Sequence, residues 1–176
     1  EHFNAEHLRK YVDDSLKNMG VDALDCVLLH CPPTDAYYDP SIFAALDELK
    51  REGKILNYGV SVQRVEEAIK ALDYDISAVE IIFNMFRLRP AEVFFDLAKR
   101  HNVGILARVP LASGLLSGKM TANTTFAPTD QRTNNRNGEL FDKGETFSGV
   151  DFLTGVQAAD ELKQRLGTEN LAGDAL

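Results

Sequence analysis

Four polar residues stand where apolar runs end or are interrupted. His30 closes the run Leu24 to His30, and Ser61 follows Gly59-Val60. Glu80 lies inside Ile76 to Phe83, and Arg108 breaks Val103 to Val109. Each type offers chemistry. A neutral imidazole at His30 can donate a hydrogen bond to a carbonyl oxygen, or it can be a satisfied structural histidine. Ser61 can cap a following helix or hold a ligand amide. A carboxylate in an apolar strand must find a partner or a polar ligand, and Glu80 is so placed. Asn84, at the end of that strand, fits turn chemistry. The planar guanidinium of Arg108 can stack on a ring, pair with phosphate, or form an ion pair with Glu80.

The run Pro110-Leu-Ala-Ser-Gly-Leu-Leu-Ser-Gly-Lys119 follows Arg108 at once. Its glycines permit close backbone approach, and backbone N–H groups there could hold a pyrophosphate. It matches neither a Walker motif nor a GxGxxG fingerprint. No Cys/His spacing suits a metal, and no nucleophile elbow is present. Cys31 and His30 are adjacent and would point opposite ways on a strand, which argues against a nucleophilic pair. Cys31-Pro32-Pro33 predicts an extended exit from the strand.

These residues need elements to position them. Leu8, Val12, Leu16 and Met19 predict a helix from Ala5 to Met19, capped by Asn4 and ended by Gly20. Leu24 to His30 is too short for a helix and suits a buried parallel strand. A second helix opens at Asp39-Pro40 and closes at Gly53. Strands are predicted at Lys54 to Val60, Ile76 to Phe83 and Val103 to Val109. Helices are predicted after Ser61, which would cap the first, and after Pro90. Residues 110–150 read as one long loop for cofactor or substrate. A last helix spans about Asp151 to Leu166, and Thr168 to Leu176 show no pattern. Such alternation implies βαβ units, a parallel sheet and right-handed crossovers. Chemistry in such folds gathers at the carboxyl ends of the strands, where His30, Ser61, Asn84 and Arg108 lie.

Composition limits the classes. The chain has 176 residues and a net charge of −8. That size fits a single domain, 1–176. The acidic balance argues against nucleic-acid binding. No run of about 18 apolar residues could cross a membrane. Glu1-His2-Phe3-Asn4 offers neither region of a signal peptide. The two cysteines, Cys26 and Cys31, read as reduced thiols, and the expected location is cytoplasmic.

Three motifs together resemble the aldo-keto reductase family, in its bacterial type. They are Ser15-Leu-Lys-Asn-Met-Gly-Val-Asp22 with Leu24-Asp25 and Leu28-Leu29-His30; Leu46-Asp-Glu-Leu-Lys-Arg-Glu-Gly-Lys-Ile55 leading into Gly59-Val60-Ser61; and Pro110 to Lys119. The resemblance spans about Asn4 to Leu166. It implies a (β/α)8 barrel that passes hydride from NADPH (NADP) to a small carbonyl substrate, an aldehyde or ketone. A whole barrel takes about 250 residues, so a partial one is expected, with about four parallel strands and outer helices.

The resemblance also implies roles. His30 matches the histidine that orients the carbonyl. Ser61 matches the serine that holds the nicotinamide carboxamide. Val62 stands where the family has asparagine, and Glu80 stands where it has glutamine. Arg108 occupies the place of a stacking tyrosine. Pro110, Leu111, Ser113, Gly114, Leu116 and Lys119 belong to the loop that wraps the pyrophosphate.

The family's tyrosine, lysine and aspartate precede the segment matching Asn4. The 176 residues alone are therefore expected to be inactive. Tyr37 and Tyr38 lie nearest His30, with no lysine beside them in sequence. Two alternatives stand beside the reductase reading. One is an inactive half-barrel that forms a homo-oligomer or binds a partner through its open edges. The other is a non-catalytic, cofactor-binding regulatory subunit.

Overall fold

The computed structural model describes residues 3–133 and 149–176. Residues 134–148 of the expected long loop lie outside the described residues. The elements are α1 (Ala5–Met19), β1 (Leu24–His30), α2 (Pro40–Arg51), β2 (Ile55–Val62), α3 (Val65–Ala71), β3 (Ala78–Ile82), α4 (Arg89–Val93), α5 (Phe95–Arg100), β4 (Gly104–Arg108), α6 (Phe152–Leu166) and α7 (Leu171–Asp174). The four parallel strands form one sheet in the order β1-β2-β3-β4, with flanking helices. This is the partial (β/α)8-type architecture expected.

The first compact unit comprises residues 1–81 and 89–106. Its α1 forms where expected because both ends are chemically marked. The Asn4 side chain accepts from His7 N, and Gly20 turns left-handed at φ 67°. In α2 the Asp39 carboxylate accepts from Ser41 N, and Pro40 takes the first helical position. Leu46 and Leu49 of α2, Ile55, Tyr58 and Val60 of β2, and Ala68 of α3 are completely buried together. Each large side chain contributes ~1.5–3 kcal/mol through burial.

Several expectations need correction. Strand β2 runs on through Ser61 to Val62, so Ser61 is a strand residue and not a helix cap. Arg64 holds the cap position of α3, and the Glu67 side chain accepts from its backbone N–H. Cys31 is not extended: its φ is +45°. The segment Thr34–Tyr38 forms a 3₁₀ turn. The helix after Pro90 breaks at Phe94, whose φ of −119° separates α4 from α5. Ile105 packs against the helix-side core, whereas Leu106 is exposed. Strand alternation requires the two to point oppositely.

The second unit comprises residues 82–88 and 107–176. Leu115 and Leu116 are buried with Val156, beside Phe152, Leu162 and Met120. The glycine-rich run is not an open loop, since Ala112–Ser117 forms 3₁₀ turns. Gln131–Thr133 forms another such turn. Asp151 caps α6 by accepting from Leu153 N and Thr154 N, and Gly167 ends it at φ 62°. The tail, which has no sequence pattern, contains α7, capped by Asn170.

Candidate functional site

Strand register builds the first part of the site. His30 pairs with Ser61, and Ser61 pairs with Glu80. The three therefore form one row across β1, β2 and β3, at the carboxyl ends of the first two. Partners in parallel register project from the same face of the sheet. The row next below is Leu28, Gly59 and Ala78. A Cβ at Gly59 would lie 2.0 Å from the Ala78 carbonyl oxygen and 2.9 Å from Leu28 Cδ2. Only glycine fits there.

The row differs in exposure along its length. His30 is exposed, Glu80 is half-buried, and Ser61 is wholly buried. Neither the His30 ring nor the Glu80 carboxylate makes a hydrogen bond or ion pair with the described residues. The Ser61 hydroxyl lies 3.5 Å from Cys31 Sγ. Its carbonyl accepts from Cys31 N at 2.9 Å and from the Tyr37 hydroxyl at 3.4 Å.

The loop after β1 is held by a buried carboxylate that sequence reasoning missed. Glu67 Oε1 accepts from Thr34 Oγ1 at 2.8 Å. Its Oε2 accepts from Gln63 N and Arg64 N. Two strand-end loops thus share one anchor. The signal was faint: a second glutamate, Glu67, in the first turn of a predicted helix.

The tyrosines in and around the loop after β1 differ in burial. Tyr37 is wholly buried. Burial, and then the nearby Glu67 charge, push its phenol well above the ordinary range. Tyr38 is exposed, and Lys70 Nζ stands 4.9 Å from its ring centroid. No lysine lies beside Tyr38 in sequence, but one lies beside it in space. The lysine comes from α3, 32 residues further on, and only folding brings it near. Tyr58 is buried and donates to Asp47 Oδ1 at 2.7 Å; burial, and then this hydrogen bond, push its phenol up.

A second group of candidate residues belongs to the other unit. Arg108 ends β4 half-buried, and its carbonyl accepts from Phe83 N at 3.2 Å. The chain then enters a series of left-handed residues: Val109 (φ 54°), Ala112 (48°), Ser113 (57°), Gly114 (99°) and Gly118 (67°). Pro110, Leu111, Ser113 and Gly114 are half-buried, Leu116 is buried, and Lys119 is exposed. Several N–H groups of this run are used within it: Ala112 N donates to Val109 O, Gly114 N and Leu116 N to Leu111 O, and Gly118 N to Leu115 O. The fold supports this loop from behind. Lys163 Nζ donates to Gly118 O at 3.0 Å, and a Cβ at Gly155 would meet Leu115 Cδ1 at 2.6 Å. Arg132 is fixed by Asp130 at 2.9 Å and 2.5 Å and stacks 4.2 Å from the Phe126 centroid. Neither Lys163 nor Arg132 was evident in the sequence. A cavity of about 280 Å³ is lined by Phe83, Asn84, Ala107 and Pro110, among others.

The aldo/keto reductase family model matches residues 1–173, and the chain belongs to that family. It is 25% identical over 86% of its length to the aldo-keto reductase yakc, named for NADP(+), of Schizosaccharomyces pombe, covering 45% of that protein. It is 24% identical over 76% of its length to the NADH-specific methylglyoxal reductase of Escherichia coli, covering 41% of that protein. Among solved structures, the glycerol dehydrogenase AKR11B4 of Gluconobacter oxydans superposes with a TM-score of 0.75 at 26% identity. That match covers 98% of this chain and 50% of the other. The chain thus spans about half the length of the relatives it matches.

Proposed function

We propose that this chain is a segment of an NADPH-dependent aldo-keto reductase that reduces an aldehyde or ketone to an alcohol. The observation carrying this is the His30–Ser61–Glu80 row. It sets an unengaged imidazole, a hydroxyl and a carboxylate side by side on one sheet face. His30 donates a hydrogen bond to the substrate carbonyl and orients it. Ser61 holds the nicotinamide carboxamide. Glu80 accepts from its NH₂, a role that glutamine shares, although Glu80 cannot donate. Arg108 stacks on the ring. Pro110, Leu111, Ser113, Gly114, Leu116 and Lys119 surround the diphosphate. The bound nicotinamide supplies the hydride. NADPH is favoured over NADH only by the NADP(+) relative. Two cysteines outside any disulfide, Cys26 and Cys31, fit a cytoplasmic enzyme.

Fluorescence titration of the full-length protein with NADPH tests the reading. Quenching is expected, and Arg108→Ala should weaken affinity about tenfold, the scale of one stacking contact. Absence of quenching in the wild type would remove the cofactor assignment.

The 176 residues alone should give no turnover with NADPH and 4-nitrobenzaldehyde, because Tyr37 is buried and its phenol pKa is raised. A second reading, a self-associating half-barrel, is favoured by β1. Among the described residues it pairs on one side only, and Cys26 on it is exposed. Light scattering on the chain decides: a dimer mass supports self-association, and a monomer mass removes it.

A further inference from the structure

Strand β4 ends in an improbable backbone. Val109 has φ 54°. It is β-branched, which makes that region costly, and it precedes Pro110, which restricts it further. Such strain persists only where the surroundings over-determine it. Three hydrogen bonds do so. Phe83 N donates to Arg108 O at 3.2 Å, and Ala112 N donates to Val109 O at 3.0 Å. The third comes from a side chain: Asn84 Nδ2 donates to Val109 O at 3.0 Å.

Asn84 is 4% exposed, and its other amide atom is also used. Its Oδ1 accepts from Phe86 N at 2.9 Å. One carboxamide therefore shapes its own turn and grips the end of β4, 25 residues away in sequence. Turn chemistry alone needs only the Oδ1 contact. The Nδ2 contact does something further. It fixes the carbonyl from which the strained Val109 leads into the Pro110–Lys119 run. Asn84 and Pro110 also line the same cavity.

We propose that Asn84 is a positioning residue. Its buried carboxamide holds the strained Arg108–Val109 strand end and so sets the geometry of the loop that receives the dinucleotide. The dinucleotide part rests on the function proposed above. The holding of the strand end does not.

Asn84→Asp is the sharpest probe. It keeps the acceptor for Phe86 N and replaces the donor with an oxygen facing Val109 O. In the full-length protein, amide exchange across Arg108–Ser113 should quicken at least tenfold. The Kd for NADPH should rise by a similar factor. Val109→Gly supplies the control, since glycine adopts this φ without strain. In that background Asn84→Asp should lose most of its effect on Tm, yet Kd should stay raised because nothing aims the strand end. A fall in Tm with exchange and Kd both within twofold of wild type would overturn the proposal. If wild-type protein binds no NADPH, the cofactor reading fails. The exchange result then still decides whether Asn84 holds the strand end.

Discussion

The two groups of candidate residues are built by different means. In the first unit, His30, Ser61 and Glu80 share a row because β1, β2 and β3 are parallel and in register. No unusual backbone is needed within that row. In the second unit, the Arg108–Lys119 segment has positive φ at Val109, Ala112, Ser113, Gly114 and Gly118. Side chains from elsewhere hold it: Asn84 at its start and Lys163 at its end. A site made by register is rigid as a consequence of the sheet itself. A site made by a loop is only as precise as the side chains that support it.

The comparison can be broken most forcefully at Gly59. Gly59→Ala would put a Cβ 2.0 Å from the Ala78 carbonyl oxygen, with backbone and not a flexible tip as the obstacle. The row His30–Ser61–Glu80 sits directly above. Destabilisation of about 3 kcal/mol is expected, lowering Tm by roughly 10 °C. Thermal unfolding by circular dichroism checks this. A loss below about 1 kcal/mol would mean that the strands can part without cost, and rigidity by register would fail.

Next in size is His30→Ala. The imidazole is exposed and makes no hydrogen bond with described residues, so removing it should barely alter folding. In the full-length enzyme kcat should fall about 100-fold, the scale of one positioned proton-transfer or polarising group. Tm should move by only a few degrees. Equal losses of stability and rate would return His30 to a structural role.

What was legible in the sequence follows the same division. Helix α1 and strand β1 agree with their expected bounds residue for residue. Caps and apolar period marked both. His30, Ser61 and Glu80 stood out because polar residues in apolar strands are locally conspicuous. Ser61 was nonetheless open to misreading as a cap. A polar residue after an apolar run looks the same whether the strand stops or continues along a polar, ligand-facing surface. Asn84 and Val109, Thr34 and Glu67, and Tyr38 and Lys70 were illegible as pairs. Each interaction joins residues 25 to 33 positions apart, and neither partner is unusual in its own segment. The break at Phe94 likewise has no local marker, since Val93, Phe94 and Phe95 read as continuous apolar helix.

The second unit gives a milder test of the same contrast. Lys163 donates to Gly118 O, and its stem would touch a Cβ at Gly118. Lys163→Met keeps the stem and removes the charge. A stability loss of about 1 kcal/mol is expected, typical of one net hydrogen bond. Exchange at Gly118 and Lys119 should quicken, while the His30 row is unaffected. Lys163→Arg should recover part of the loss. If the methionine variant left exchange there unchanged, the loop would be holding itself.

The smallest effect concerns Asp130 and carries a pH dependence. Hydrogen bonds from the Arg132 side chain, and then from its backbone, lower the Asp130 pKa to about 2. An unfolded aspartate titrates near 3.9. A carboxyl depressed on folding contributes stability that is complete above the unfolded value and is lost as pH falls through the folded one. The window for this pair is therefore between about pH 4 and pH 2, and neutral conditions lie above it. The pair is solvated, so the change in overall stability should be slight. Its local signature should still be plain. The Asp130 carboxyl carbon, followed by NMR, should titrate near pH 2, and in Arg132→Gln near pH 4. Arg132 stacks on Phe126, so the Phe126 ring resonances should shift over the same pH range in the wild type. A wild-type midpoint near 4 would mean that the Asp130–Arg132 pair does not form in solution. The Arg132 guanidinium would then be oriented by its other contacts, among them the Phe126 ring.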